Sequence, residues 1–374
     1  MLVWQPITFV FLFNFELFFM VRSVIVGTGS YIPDHVVSNK VFENSQFYEA
    51  DGSKLYKKRE DVIRKFSEIT GIYERRYAEP DQVCSDLAYL SATDALNSSG
   101  IDRETLDYII VAHNFGDVAT QSNRTSLVPS VASRVKSMLK IANPDCVAYD
   151  IIFGCPGWIE GVIQADCFIR CGMARRCMVI GAETLSRVID PHDRDSMIYA
   201  DGSGAVILEA SAEPRGILSH KTQTYALDHS QLLRMDASYS DFTGERKDRF
   251  LKMNGRKVYE FALTHVPLVI KEAIARASLS VEDIDMALVH QANNKMDQAI
   301  LERLFNLFGH EVIPQGKMPM TIGWLGNSSV ATVPTLLDLV LKQKLDGQKV
   351  NSGDHVIFAS VGAGMNINAL VYRF

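Results

Sequence analysis

The chain has 374 residues, 47% of them hydrophobic and 22% charged, with a formal net charge of −6 at pH 7 and a pI near 5.9. This is an ordinary globular composition with enough mass for two core-bearing units. Its acidity argues against nucleic acid as a general partner while leaving room for a local basic patch that receives an acidic carrier. Six cysteines in a chain of this length do not make a disulfide framework and read as free thiols of a reducing cytosol.

Residues 2–19 are rich in Phe, Leu and Val, yet they lack a basic segment and a small-residue cleavage site, and they contain Pro6, Asn14 and Glu16. They read as neither a signal peptide nor a membrane anchor. Residues 1–20 are expected to be an apolar extension, disordered or non-native, ahead of a domain that starts near Met20. Residues 22–27 then make a natural first strand. Gly27-Thr28-Gly29 follows it, but the third glycine of a dinucleotide fingerprint is missing and Pro33 interrupts the helix such a site needs.

Residues 95–111 (ALNSSGIDRETLDYIIV) align without gaps to residues 273–289 (AIARASLSVEDIDMALV). Each is a helix, a short acidic turn and a buried strand. Glu104 stands opposite Glu282, Asp107 opposite Asp285 and Val111 opposite Val289, so the spacing predicts two similar halves. Residues 146–152 form a further strand, residues 159–170 have helical spacing, and residues 23–27, 177–181, 205–209 and 355–361 are apolar and β-branched, as strands covered on both faces are. Strands alternating with amphipathic helices give the α/β class. Cys167, Cys171 and Cys177 fall along a helix and the following strand with no nearby histidine, a structural pattern rather than a metal site.

Several corners carry polar chemistry. Cys155, in Phe153-Gly154-Cys155-Pro156-Gly157-Trp158, lies between a strand and a helix that Pro156 opens. Unpaired N–H groups and the positive helix end there favour a thiolate, the attacking species; the plainer alternative is a buried cysteine that fills space. His290-Gln291-Ala292-Asn293 follows the strand at 286–289, at the strand end where α/β proteins build sites. Asn327 opens another loop-to-helix corner, where capping alone would explain it. Ser360-Val361-Gly362-Ala363-Gly364-Met365 is a glycine-rich turn able to bring backbone N–H groups close to a ligand, or simply a tight turn.

The order of these corners closely resembles the ketoacyl synthase III family of the thiolase fold, from about Val21 to Phe374. The resemblance includes Gly27-Thr-Gly-Ser-Tyr-Ile-Pro33, Thr70-Gly-Ile-Tyr-Glu-Arg-Arg76, Asp190-Pro-His-Asp-Arg194, Asp201-Gly-Ser-Gly-Ala205 and Met253-Asn-Gly-Arg-Lys-Val258. It implies a five-layer αβαβα fold of two duplicated halves, residues 21–211 carrying the nucleophile and residues 212–374 the His and Asn. It further implies a Cys155–His290–Asn327 triad that condenses a Cys-bound acyl primer with a malonyl (or 3-oxoacyl) carrier thioester. The backbone N–H groups of Cys155 and Ala363 would form an oxyanion hole. No metal or other cofactor is implied beyond the acyl-CoA or acyl-carrier and malonyl-carrier substrates.

The same resemblance implies a cytoplasmic homodimer with no membrane association and with an acyl carrier protein as partner. Arg194 would hold the phosphopantetheine donor, Lys295 would lie near the carrier docking patch, and the loop 124–130 would cap the partner's acyl pocket. The chain departs from the family at Pro156 after the nucleophile, at Trp158, and at the capping position, where Val128 replaces a larger residue. No aromatic around Arg64–Phe66 takes the place of the family's adenine-stacking residue. These departures predict a medium or long primer that arrives on a carrier protein. Rival readings are a type III polyketide synthase-like enzyme using coenzyme A thioesters, a hydroxymethylglutaryl-type synthase, which would want an acid/base glutamate near the nucleophile, and a non-catalytic thiolase-fold partner that binds acyl groups.

Overall fold

The computed structural model describes residues 21–241, 247–314 and 316–374; the expected N-terminal extension lies outside these. Nine principal strands are β1 (Arg22–Tyr31), β2 (Tyr108–Ala112), β3 (Val147–Ile151), β4 (Arg176–Thr184), β5 (Asp201–Ser211), β6 (Gly216–Thr224), β7 (Met286–Val289), β8 (His355–Gly362) and β9 (Asn366–Arg373). The helices that pack on them are α1 (Cys84–Ser99), α2 (Val131–Met138), α3 (Gly157–Arg170), α4 (Gly255–Arg276), α5 (Asn294–Asn306) and α6 (Thr332–Leu341). The first sheet has the order β1-β5-β4-β2-β3 and the second β6-β9-β8-β7.

The two sheets repeat one plan. In the first, β2 runs parallel to β4, which pairs antiparallel with β5; in the second, β7 runs parallel to β8, which pairs antiparallel with β9. The aligned acids do the same work in each half. Asp107 accepts the backbone N–H groups of Arg175 and Arg176 at 2.6 and 2.8 Å, at the start of β4, and Asp285 accepts that of His355 at 2.8 Å, at the start of β8.

Helices α3 and α6 lie between the sheets. Val162, Ile163 and Ile169 of α3 and Val333, Leu336 and Val340 of α6 share one core with residues of both sheets, among them Val179, Val206, Phe358 and Leu370. Helices α1 and α2 cover the outer face of the first sheet, and α4 and α5 cover the second. The result is five layers, αβαβα. A helix enclosed by two sheets must be apolar on most of its circumference, which α6 is. Its buried exception, Asp338, accepts from the hydroxyls of Thr28 and Ser30 at 2.8 and 2.7 Å and pairs with Lys342 at 2.7 Å.

Gly27 and Gly29 have a packing role rather than a nucleotide-binding one. A Cβ on Gly29 would stand 2.2 Å from the carbonyl oxygen of Ser91, so glycine lets α1 cross β1 in close contact. Strand β5 begins at Asp201, four residues before the expected stretch, because Gly202 and Gly204 are buried against the segment that precedes and opens α6. Among the described residues, no helix is long and apolar enough to cross a membrane.

Candidate active site

Cys155 sits on the turn that joins β3 to α3. Gly154 supplies the left-handed conformation the turn needs (φ 68°), and Pro156 is the cap residue before the helix begins at Gly157. The other half of the molecule presses on this corner from outside. A Cβ on Gly362 would lie 2.4 Å from Cys155 N, and one on Gly154 would lie 2.5 Å from Ala363 N. Two glycines thus allow the Cys155 corner and the turn 363–365 to meet backbone to backbone.

The expectation that the helix end holds the thiol in its ionised form is corrected by the structure. Cys155 keeps part of its surface accessible, yet burial pushes its thiol up to about 11, with a hydrogen bond from Ser329 opposing the rise and the Glu183 carboxylate adding to it. Desolvation of the charged form outweighs the helix dipole, because the sulfur is withdrawn from water at this corner. The donor that helps the thiolate is a side chain: Ser329 Oγ donates to Cys155 Sγ at 3.2 Å.

Ser329 also links the other two predicted residues. Its N–H donates to Asn327 Oδ1 at 2.8 Å, which leaves Nδ2 as the donor end of that amide. Asn327 itself is strapped down by backbone bonds: its N–H donates to Ile198 O at 3.0 Å, and its carbonyl accepts from Ala200 N at 2.9 Å. His290, 3% exposed, follows β7 and is tied to β8 through its N–H, which donates to Ala359 O at 2.8 Å. Thr332 Oγ1 stands 2.6 Å from His290 Nδ1 and 3.0 Å from Ser329 O, and its single proton serves one of the two. Burial pushes the imidazole down to about 4, so the ring is neutral at physiological pH. Cys155, His290 and Asn327 are therefore gathered around Ser329, whose φ of 53° is left-handed for a non-glycine residue, the kind of backbone strain found at functional sites.

Behind Ser329 stand two residues that sequence reasoning missed. Asn114 Nδ2 donates to Ser329 Oγ at 3.1 Å and to Glu183 Oε1 at 2.6 Å, and Asn114 N donates to the same oxygen at 2.6 Å. Glu183 is fully buried at the end of β4. The signal available for it was a carboxylate ending a strand otherwise apolar on both faces; Asn114 gave none.

The remaining predicted residues are dispersed. Trp158 is 2% exposed, donates its indole N–H to Val179 O at 3.3 Å and lies 6.1 Å from the Phe358 ring, inside the core between the sheets. Val128 is 89% exposed on its loop. Arg194 is exposed and paired with Glu49 at 3.0 Å. Lys295 is exposed near the start of α5, one turn beyond His290. Of the three cysteines weighed as a metal cluster, Cys177 is buried while Cys167 and Cys171 are exposed.

Comparison with known proteins bears on this arrangement. Residues 149–226 match the profile described as 3-oxoacyl-[acyl-carrier-protein (ACP)] synthase III, and residues 274–374 match its C-terminal part. The crystal structure of beta-ketoacyl-[acyl carrier protein] synthase III from Thermus thermophilus is 30% identical over 94% of this chain and 98% of its own, with a TM-score of 0.78. The chain belongs to the 3-oxoacyl-[acyl-carrier-protein] synthase III family. The Aquifex aeolicus VF5 synthase III agrees, at 28% identity, 94% and 100% coverage and a TM-score of 0.77. A serine-for-cysteine variant of Xanthomonas campestris OleA, solved with bound lauric acid and lauroyl-CoA, shares the fold alone, at 18% identity, 94% and 99% coverage and a TM-score of 0.74. This synthase III-family chain is thus a condensing-enzyme relative built on the thiolase-type fold.

Proposed function

We propose that the protein catalyses a decarboxylative Claisen condensation of a Cys155-bound acyl primer with a malonyl carrier thioester. The observation that carries this is the Ser329-centred network, which holds a thiol, a neutral imidazole and an amide donor in one corner. In the first half-reaction the Cys155 sulfur attacks the primer thioester and the donor thiol leaves, so one thioester is exchanged for another. In the second, carbon dioxide leaves the malonyl group and the resulting carbon nucleophile attacks the acyl-cysteine, giving a 3-oxoacyl product and freeing the thiol.

Two oxygens gain charge along this path, and each has its donors. The backbone N–H groups of Cys155 and Ala363 stabilise the tetrahedral intermediate; His290 Nε2 and Asn327 Nδ2 stabilise the malonyl thioester oxygen. Thr332 bears on the histidine's tautomer: Nε2 carries the ring's proton toward substrate when the Thr332 hydroxyl gives its proton to Nδ1 rather than to the Ser329 carbonyl, its other neighbour. Because the thiolate is the species that attacks and the species that leaves, a thiol held this high relies on the Ser329 hydroxyl to support its charge in both steps.

An acyl carrier protein brings the substrates, with Arg194 and Lys295 on the receiving surface. The enzyme works as a homodimer in which Val128 reaches the partner's acyl pocket, and its small side chain favours a medium or long primer. Intact-protein mass after incubation with acyl-coenzyme A and acyl-carrier thioesters of rising length tests this. A mass gain confined to longer acyl groups and abolished by Cys155→Ala supports the proposal; loading from acetyl-coenzyme A alone refutes the primer assignment, and no adduct from any donor favours the acyl-binding partner.

A further inference from the structure

Glu183 is a carboxylate that the condensation just described does not use, yet it is fully buried at the end of β4 and directed toward the nucleophile's corner. One oxygen, Oε1, takes two donors from a single residue, the backbone N–H and the side-chain Nδ2 of Asn114, both at 2.6 Å. The second, Oε2, is buried without a partner among the described residues. A buried carboxyl with an unpartnered oxygen is destabilising by itself, so its place in the fold calls for a reason.

The reason lies in proton direction. With Asn114 N–H on Oε1, that oxygen is an acceptor, so the amide end beside it must be the NH2 group. The second hydrogen of that group points at Ser329 Oγ, 3.1 Å away. Ser329 Oγ, having accepted it, has one proton left to give, and Cys155 Sγ lies 3.2 Å away. Each step removes an alternative from the next. Without the carboxylate the amide is free to turn over and offer Oδ1 to the serine, which would then donate away from the sulfur.

We propose that Glu183 and Asn114 are positioning residues of the nucleophile: the carboxylate fixes the Asn114 amide, and the amide aims the Ser329 hydroxyl proton at Cys155 Sγ. This rests on Cys155 being the nucleophile. The arrangement favours thiolate over thiol through one hydrogen bond, while the negative charge of Glu183 acts on the sulfur in the opposite sense. His113, Asp201, Cys84 and Cys155 are the titratable groups whose charges act on Glu183 or respond to it. The Glu183 carboxyl is itself held up to about 7, chiefly by burial.

The test is the pH dependence of Cys155 alkylation by iodoacetamide on the full chain, read from the Cys155 peptide after digestion, because Cys167 and Cys171 are also exposed. Ser329→Ala and Asn114→Ala are each expected to move the alkylation midpoint upward by about one pH unit, a tenfold loss of thiolate at a given pH. The decisive comparison is the double variant. If Asn114 acts through Ser329, adding Asn114→Ala to Ser329→Ala produces no further shift; two shifts that add overturn the proposal. Glu183→Gln, which keeps the acceptor oxygen and removes the charge, is expected to fold normally and move the midpoint down. Glu183→Leu, which removes the acceptor as well as the charge, is expected to raise the midpoint above that of Glu183→Gln; equal midpoints in these two variants overturn the positioning role of Glu183. Because alkylation needs no acyl donor, failure of acyl loading in the wild type would count against the condensation and leave this result readable.

Discussion

Ser329 is the residue on which the corner turns. Its hydroxyl, amide and carbonyl face Cys155, Asn327 and Thr332 respectively. Two measurable consequences follow at this scale. With the thiol held up to about 11, the free enzyme's alkylation rate is expected to rise about tenfold per pH unit through pH 9, with no plateau near neutrality; a plateau below pH 8 would contradict the burial argument. His290 carries the second. Its pKa falls from 6.5 to about 4 on folding, so between those values the unfolded chain binds a proton that the native chain refuses. Stability attributable to this residue is present above pH 6.5 and is lost as pH falls toward 4, by on the order of 3 kcal/mol in all. Urea unfolding at pH 7.5 and pH 5 should show the wild type losing more stability than His290→Asn, which has no proton to gain.

The two donors differ in what they should do to turnover. Asn327→Ala removes an amide that supports charge only in the condensation, so the acyl-enzyme should still form while condensation slows about 10²- to 10³-fold, equivalent to about 2.7–4 kcal/mol. Acyl loading by mass and product release by chromatography separate the two half-reactions.

At the scale of elements, α6 shows how a polar residue is tolerated inside a layered core. Asp338 replaces water with two hydroxyls and an ammonium. Asp338→Ala would leave Lys342 with only Asp94 and strand the hydroxyls of Thr28 and Ser30, with an expected cost of about 3–5 kcal/mol. Chemical denaturation would record it as a lower midpoint at unchanged slope. The same element shows where sequence reading reaches its end. The alternating strands, the duplicated helix–turn–strand and the corners of Cys155, His290 and Asn327 were legible, because periodicity and turn residues are local properties. Asn114 and Glu183 were not, since they meet Ser329 only when β2, β4 and the segment before α6 converge. The thiol's acidity was misjudged for a related reason: helix position is written in the sequence, while burial of a sulfur is not.

At the scale of the whole molecule, α3 and α6 belong to both halves at once. Residues 21–211 alone would expose the face of α3 that rests on β6, β8 and β9. That fragment is expected to lack dispersed amide resonances until residues 212–374 are supplied, although the repeat suggests two self-sufficient units. A well-dispersed spectrum of the isolated half would show that the middle layer is dispensable to it.

The backbone contact between the Cys155 corner and the Gly362 turn has a consequence for traffic through the enzyme. A seam closed to this tolerance cannot part at the Gly362 turn without breaking backbone packing. A guest that reaches Cys155 meets a fixed backbone wall on that side, and a slender, flexible arm ending in a thioester is a shape that needs no such wall to move.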